Sequence, residues 1–188
     1  ENALRLGMPN LKLYFMVGLP GETDEDVLAI ADVAKKIRQI GRDMKVRPNV
    51  VVSVSGFVPK PNTAFQWEEG VCQEELKRRQ VLLGKALKGP GLTYKYHDAK
   101  TTWLEAVFAR GDRRLSKTLE IAYRKGARFD AWPSMMDENL WMASFEESEL
   151  DPSFFAHRER EETEILPWDH LDSGVDKGFL LSERSKAK

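Results

Sequence analysis

A strand that runs directly into a helix is the feature that most constrains how this chain folds. Residues Leu11 to Val17 form a nearly unbroken apolar run, which Gly18-Leu19-Pro20-Gly21 ends. A strand covered on one face would alternate, whereas a parallel strand covered on both faces need not. Proline lacks the N–H of a strand ladder, and glycine permits a sharp turn. The stretch therefore predicts a buried parallel strand of an α/β fold.

The segments that follow predict a β-α-β unit with a right-handed crossover. Thr23 is a capping residue, and Asp26 completes a weak form of the capping box. Apolar side chains then recur at spacings of three and four from Val27 to Ile40, and Gly41 ends this helix. The β-branched residues within Val46–Val58 predict the second strand.

The later segments continue the alternation once and then become helical. A charged helix is predicted over Gln73–Lys88 and a short strand over Leu92–His97. Further helices are predicted at Thr101–Arg110, Arg113–Lys125, Asp137–Ser148 and directly after Asp151-Pro152. From His157 onward we expect a mostly charged loop, in which Leu166-Pro167-Trp168 is the segment suited to dock on the protein. This layout predicts two domains, 1–98 and 99–188.

Composition narrows the class of protein and its compartment. Of the 188 residues, 41% are apolar and 31% are charged, with a net charge of −1, which fits a globular protein without a general affinity for nucleic acid or membranes. The single cysteine, Cys72, excludes an internal disulfide, so a reducing cytoplasm is expected. The chain begins at Glu1, and residues 1–7 resemble the end of a helix. We therefore expect a piece of a larger domain, with a processed N-terminus as the alternative.

The turn after the first strand has two interpretations. A glycine-containing turn before a helix suits phosphate, but the acids Glu22, Asp24, Glu25 and Asp26 would repel it. The turn is therefore either a structural turn capped by acids or the border of a neutral or zwitterionic ligand that contacts the backbone.

A compact basic cluster formed by Arg110, Arg113 and Arg114 also has two interpretations. Its guanidinium groups would suit a carboxylate or a phosphate. The alternative is a corner between two helices, with Asp112 as a cap. The first interpretation leads to a second candidate function, a self-contained binding module for RNA or a phosphorylated partner.

Other polar and aromatic clusters favour structural roles. Asp98 is expected to cap a helix rather than to act with His97 and Glu105, and Asp169-His170-x-Asp172 is expected to be solvated. Four aromatic residues are expected to form the core of the helical part: Trp103, Trp132, Trp141 and Phe145.

Several of these segments together resemble the radical S-adenosylmethionine superfamily. Leu13 to Asp26 is similar to its strand-turn segment Phe-Met-x-Gly-Leu-Pro-x-Glu-Thr-x-x-Asp, and Phe57 to Thr63 is similar to the strand end of methylthiotransferase-like barrels. Five segments resemble an uncharacterised subfamily whose full-length members carry a cobalamin-binding-type region: 57–67, 96–100, 105–115, 126–132 and 166–170.

The resemblance implies a fold and cofactors. The first half would be the C-terminal part of a partial (β/α) TIM-like barrel, containing its fifth and sixth strands, followed by a mainly helical extension. Such a barrel binds S-adenosylmethionine and a 4Fe-4S cluster, and it reductively cleaves the former to a 5′-deoxyadenosyl radical. Cobalamin is a further candidate cofactor, and the substrate is unassigned, with RNA as one candidate.

The resemblance also implies site residues and partners. Val17, Gly18 and Leu19 match the strand end that lines the adenosine, although Tyr14 stands where the family has a glycine. Ser55, Phe57 and Val58 match the strand end that borders the adenine. The three-cysteine cluster loop is absent, so we expect this chain alone to bind no cofactor and to be inactive, and no catalytic residue can be named. Its expected partner is the upstream part of the same polypeptide, and an exposed strand edge would permit dimerisation.

Overall fold

The computed structural model describes residues 1–187 as a mixed α/β protein. Its three strands are β1 (Asn10–Val17), β2 (Asn49–Gly56) and β3 (Leu92–Tyr96). Its helices are α1 (Asn2–Arg5), α2 (Asp24–Asp43), α3 (Gln73–Ala86), α4 (Ala99–Ala109), α5 (Leu115–Arg124), α6 (Glu138–Glu147), α7 (Pro152–Ala156) and α8 (Lys177–Ala187). The alternation of strands and helices predicted for the first half of the chain is confirmed.

The three strands form one open parallel sheet in the order β1-β2-β3. Tyr14 is in register with Ser53, which is in register with Lys95. Because neighbouring strands are parallel and helices connect them, β1 and β2 end at the same edge of the sheet. Their last residues, Val17 and Gly56, are partners in the register.

Within the described residues, the sheet is covered on one face. Val50, Val52 and Val54 are at most 1% exposed, whereas Tyr14 and Met16 on the opposite face of β1 are 72% and 45% exposed. The prediction that both faces of the first strand are covered is therefore wrong for this part of the molecule. The apolar run hid an alternation, because tyrosine and methionine occupy outward positions where a soluble sheet more often places polar residues.

The helix ends follow the predicted capping chemistry. Thr23 and Asp26 form a complete capping box at the start of α2. Asp98 caps α4, and Asp151 caps α7 with Pro152 in its first turn. The second strand begins at Asn49, later than the predicted Val46, because Arg47-Pro48 precedes it and proline cannot donate to a strand ladder.

The chain divides into two compact units. The first contains Glu1–Phe57 and Glu74–His97, with the sheet, α2 and most of α3. The second contains Val58–Gln73 and the chain from Asp98 onward. The segment Val58–Gln73, which we expected in the first domain, therefore belongs to the second unit.

The core of the second unit is aromatic. Trp103, Trp141 and Phe145 are each at most 5% exposed, and the rings of Trp103 and Phe145 meet edge to face with centroids 6.0 Å apart. The prediction that Trp132 joins them is wrong, since its side chain is 67% exposed. It lies in a turn, where its amide N–H donates to the Phe129 carbonyl, and helical spacing does not apply there.

The end of the chain is more ordered than predicted. Helix α8 lies in the region expected to be a charged loop. Its Arg184 donates hydrogen bonds to Glu68 at 2.6 Å, Glu162 at 2.7 Å and Glu159 at 2.8 Å. Charges that resemble a solvated tail in the sequence thus form an ion-pair network within the second unit. No helix within residues 1–187 combines the length and the apolar character needed to cross a membrane.

Candidate functional site

The carboxyl ends of β1 and β2 bring most of the predicted cofactor residues together. The amide N–H of Phe57 donates to the Val17 carbonyl at 2.8 Å, directly beyond the last register pair of the two strands. Gly18 follows with a φ of +95°, a conformation that glycine adopts without strain. The edge therefore consists of main chain from two adjacent strands, with a sharp turn at the end of the first.

The turn after β1 is closed by Glu22. Its carboxylate accepts a hydrogen bond from the Gly18 amide N–H at 2.7 Å. The same carboxylate oxygen contacts Arg79 of α3, and Arg79 also donates to the Glu22 carbonyl at 3.1 Å. Both side chains are largely buried, at 7% and 13% exposed. A phosphate would have to displace this carboxylate from Gly18, so the geometry favours the acid-capped turn.

A second arginine extends this network across the start of α2. Arg78 makes two hydrogen bonds to the carboxylate of Asp24 and two to that of Glu75. Hydrogen bonds from Arg78 and Arg79 lower the pKa of Glu75 to about 2, and the hydrogen bonds from Arg78 lower the pKa of Asp24. Helix α3 thus fixes both the turn and the first turn of α2. The sequence pattern did not reveal this, because Arg79 is 57 residues away from Glu22.

The side chains at the strand ends differ in what they offer a ligand. Val17 is 1% exposed, so its side chain is a core residue and its carbonyl is already paired with Phe57. Ser55 is half-buried on the uncovered face, where its hydroxyl lies 3.4 Å from the Phe15 carbonyl. Met16 is the register partner of Ser55 and shares that face. Met16 was missed in the sequence because it is part of an apolar run.

The remaining predicted cofactor residues lie in different surroundings. Leu19 is half-buried in the turn, and Phe57 is 5% exposed at the end of β2. Val58 is 7% exposed and packs in the aromatic core of the second unit. The structure therefore brings Val17, Gly18, Ser55 and Phe57 to one edge, whereas the Val58 side chain contributes to a hydrophobic core.

The basic cluster forms a corner between helices. Arg110 is fully buried and donates to the carbonyls of Phe155, Ala156 and Arg158 at 2.8, 2.7 and 2.6 Å. Burial, together with the neighbouring positive charges of Arg160 and Arg158, lowers the pKa of Arg110 to about 10. Its guanidinium group holds the end of α7 and faces inward, which corrects the expectation that Arg110 faces a substrate.

The other two arginines of this cluster lie at the surface. Arg114 makes a bidentate contact with both carboxylate oxygens of Asp112, and its guanidinium lies 5.2 Å from the ring centroids of Phe154 and Phe155. Hydrogen bonds from Arg114 lower the pKa of Asp112. Arg113 is exposed. A role in binding RNA or a phosphorylated partner therefore rests on Arg113 and Arg114.

The described residues contain no metal centre of the usual composition. Within residues 1–187, no three His, Cys, Asp or Glu side chains lie together as a metal site would require. Glu105, one of the acids considered near His97, forms an ion pair with Lys60 instead. Cys72 is exposed.

Comparisons with known proteins give one informative similarity. The chain is 36% identical over 120 residues to an uncharacterised protein of Methanocaldococcus jannaschii. The aligned segment covers 64% of this chain and about a quarter (25%) of that relative. No protein-family model matches the chain, and no solved structure matches it.

Proposed function

We propose that this chain is part of a radical S-adenosylmethionine enzyme, in which β1 and β2 end at one wall of the adenosine pocket. The observation that carries the proposal is the side-by-side ending of these two consecutive parallel strands, with Val17 in register with Gly56. In parallel α/β folds, ligands bind beyond the carboxyl ends of the strands. Of the two motifs that resemble the superfamily, Leu13–Asp26 contains the end of β1, and Phe57–Thr63 begins directly after the end of β2.

The chemistry of the edge suits an adenosine group better than a phosphate. A nucleoside needs apolar walls and a few groups that fix its orientation. Met16, Leu19 and the hydroxyl of Ser55 supply such groups, whereas the Gly18 amide N–H is already bound to Glu22. The acids around the turn would oppose an anionic ligand and favour a neutral or cationic one. The sulfonium of S-adenosylmethionine fits this preference.

The uncovered face of the sheet supports a barrel for the whole protein. Lys12, Tyr14 and Met16 project from the face opposite to the buried valines, and the Lys12 ammonium lies 4.7 Å from the Tyr14 ring centroid. In a (β/α) barrel, the inward face of each strand is enclosed by the remaining strands. We propose that this face of β1 and β2 is the inner face of a partial barrel.

The proposed cluster would need ligands from sequence other than these 188 residues. A cluster held by three thiolates requires three cysteines, and Cys72 is the single cysteine of this chain. When bound, the cluster supplies the electron for cleavage of S-adenosylmethionine. The residues of this chain would bind and orient the adenosine and shield it from water.

The test uses the full-length gene product, purified without oxygen and supplied with iron, sulfide and a reductant. We expect bound iron and formation of 5′-deoxyadenosine from S-adenosylmethionine. Ser55→Phe, which places a ring on the uncovered face at the strand end, should weaken S-adenosylmethionine binding about tenfold by blocking a wall of the pocket. Ser53→Phe is the matched control, since Ser53 lies on the same face about 6.6 Å further from the strand end.

Two results would overturn this proposal. A full-length protein that binds no iron and forms no 5′-deoxyadenosine is not a radical S-adenosylmethionine enzyme. If the Ser55 and Ser53 substitutions weakened S-adenosylmethionine binding equally, in variants that keep the native melting temperature, the end of β2 would not form a wall of the pocket.

A further inference from the structure

A second site lies within the second unit, at a cavity of about 710 Å³. The cavity is lined by Asn62, Gln66, Leu180 and the loop from Asp169 to Lys177. Its volume is in the range that small-molecule sites occupy. The cluster Asp169-His170-x-Asp172 stood out in the sequence, but its proximity to Asn62 and Gln66 did not, because these residues are more than 100 positions from the loop, as the hydrogen bond between Gln66 and Trp168 illustrates.

The cavity contains a buried amide with an unused donor. Gln66 is 3% exposed, and its Oε1 atom accepts hydrogen bonds from the Asn62 amide N–H at 3.0 Å and the Trp168 indole N–H at 2.6 Å. Both partners are obligatory donors, so the oxygen position is fixed and the Nε2 atom occupies the other position. Among residues 1–187, Nε2 donates to no protein group, and it is not sealed from solvent. Gln66 therefore presents an N–H donor to the cavity.

Three carboxylates, those of Asp169, Asp172 and Asp176, outnumber the cationic groups of the lining. One oxygen of each of three carboxylates accepts backbone N–H groups: Asp169 from Leu166, Asp172 from Gly174, and Asp176 from Gly178 and Phe179. These bonds fix the three side chains and leave the second oxygen of each without a hydrogen-bond partner among residues 1–187. Lys177 is the single Lys or Arg residue of the lining.

The positions of the three carboxylates favour an organic cation over a metal ion as the ligand of this cavity. The three aspartates do not form a group that could hold a metal ion, as no such group exists within residues 1–187. Separated carboxylates suit a ligand whose positive groups are themselves separated. The Gln66 donor adds a requirement for a hydrogen-bond acceptor on the same ligand.

We propose that this cavity binds a small organic dication that also carries a carbonyl or carboxyl oxygen, as a basic amino-acid derivative does. Its ammonium and guanidinium groups pair with the carboxylates of Asp169, Asp172 and Asp176. Its oxygen accepts the hydrogen bond of Gln66 Nε2. Because the site involves no residue of the sheet edge, its existence is independent of the radical chemistry proposed above.

The test is calorimetric titration of the 188-residue chain with argininamide, which carries an ammonium, a guanidinium and a carbonyl oxygen. We expect saturable binding, weakened about fivefold by Asp172→Asn and by Asp176→Asn, because each removes one charge while an amide oxygen can still accept the backbone N–H groups. Asp32→Asn is the matched control, since Asp32 lies on α2 and its side chain is 77% exposed. Glutaminamide, which lacks the guanidinium, should bind about tenfold more weakly than argininamide.

The Gln66→Glu substitution tests whether argininamide binds through the hydrogen bond of Gln66 or only through attraction to the negative charges of the cavity. This substitution keeps an oxygen for Asn62 and Trp168, removes the donor and adds a negative charge. We expect weaker argininamide binding, and stronger binding would overturn the proposal. In the native protein, the nuclear magnetic resonance signals of the Gln66 side-chain NH₂ should shift on titration, which needs no variant. Unmoved signals, an absence of binding, or stoichiometric displacement of argininamide by Mg²⁺ would each overturn the proposal.

Discussion

The amide N–H of Gly18 and the carboxylate of Glu22 are joined by a hydrogen bond of 2.7 Å across the turn that follows β1. Because the same carboxylate oxygen contacts Arg79, the position of this turn depends on helix α3 as well as on its own glycines. The turn is thus held by a side chain four residues along the chain and by another element of the first unit. Its rigidity is what would allow it to form one wall of a ligand site.

Removal of the Glu22 carboxylate should destabilise the first unit. We expect Glu22→Ala to cost about 3 kcal/mol, because it removes a largely buried ion pair and the acceptor of the Gly18 amide. Glu22→Gln should cost about 1 kcal/mol, since its amide oxygen can still accept from Gly18. Urea denaturation measures both values, with Glu25→Ala at an exposed acid in the first turn of α2 as the control. Equal losses for the alanine and glutamine variants would contradict this role.

We expect the buried Arg110 side chain to stabilise the fold. Replacement by methionine keeps much of the side-chain volume and removes the donors to the carbonyls of Phe155, Ala156 and Arg158. We expect a loss of about 3 kcal/mol, because three carbonyl groups lose a charged donor in a buried setting. Arg113→Met, at an exposed position, should change the free energy of unfolding by at most about 0.5 kcal/mol. Thermal and urea denaturation of the two variants provide the comparison, and similar values would show that Arg110 is not a structural anchor.

Because folding lowers the pKa of Glu75, the free energy of unfolding should depend on pH in the acidic range. Its pKa is lowered from 4.5 to about 2 by hydrogen bonds from Arg78 and Arg79, so the folded state favours its charged form. A carboxyl whose pKa is lowered by folding stabilises the protein above its unfolded pKa, and this contribution is lost as the pH falls through the folded value. The stability difference between the native protein and Glu75→Gln should therefore be constant above pH 4.5 and shrink toward zero between pH 4.5 and 2.

Urea denaturation at a series of pH values measures this difference. Glu74→Gln removes an exposed carboxylate from the same helix turn and serves as the control. If the difference between the native protein and Glu75→Gln grew as the pH fell, the assigned ion pairs would be wrong.

The free edge of β1 should be visible in hydrogen exchange. The bonds from Asn49 to the Pro9 carbonyl and from Phe57 to the Val17 carbonyl place the odd-numbered residues of β1 toward β2. The amide N–H groups of Lys12, Tyr14 and Met16 then point away from β2. They should exchange about tenfold faster than those of Leu13 and Phe15.

Pairing between chains would remove this contrast. If two chains associate through β1, raising the protein concentration should protect the even-numbered amides and increase the mass measured by light scattering. Tyr14→Pro should prevent such pairing with little effect on the β1–β2 bonds, because proline is tolerated where the N–H faces outward. Phe15→Pro is the contrasting variant, since it removes an N–H that faces β2.

Local rules predicted the elements of this fold well. The capping box at Thr23, the helix start at Asp98 and the Asp151-Pro152 start all depend on residues within four positions of each other. The parallel pairing of β1 with β2 followed from the helix between them. Such features can be predicted because their physics is contained in a short segment.

The features that were predicted wrongly depend on contacts between residues that are far apart in the sequence. The charged segment after His157 is ordered because Arg184 meets Glu68, 116 positions earlier. Trp132 is exposed because its turn does not bring it to the core, whereas Trp103 and Trp141 lie on helices that do. At the candidate site, the strand ends were predictable, but the binding of Glu22 to Arg79 and the cavity at Gln66 required the tertiary structure.

The ion-pair network of Arg184 has a practical consequence for work with this protein. Arg184 is 7% exposed, and its three acidic partners come from two segments that precede α8 by many residues. Shortening the chain before this residue would remove the shared cation and bring three carboxylates into mutual repulsion. Affinity tags and deletion series should therefore be designed from the N-terminal side, and α8 should be retained intact.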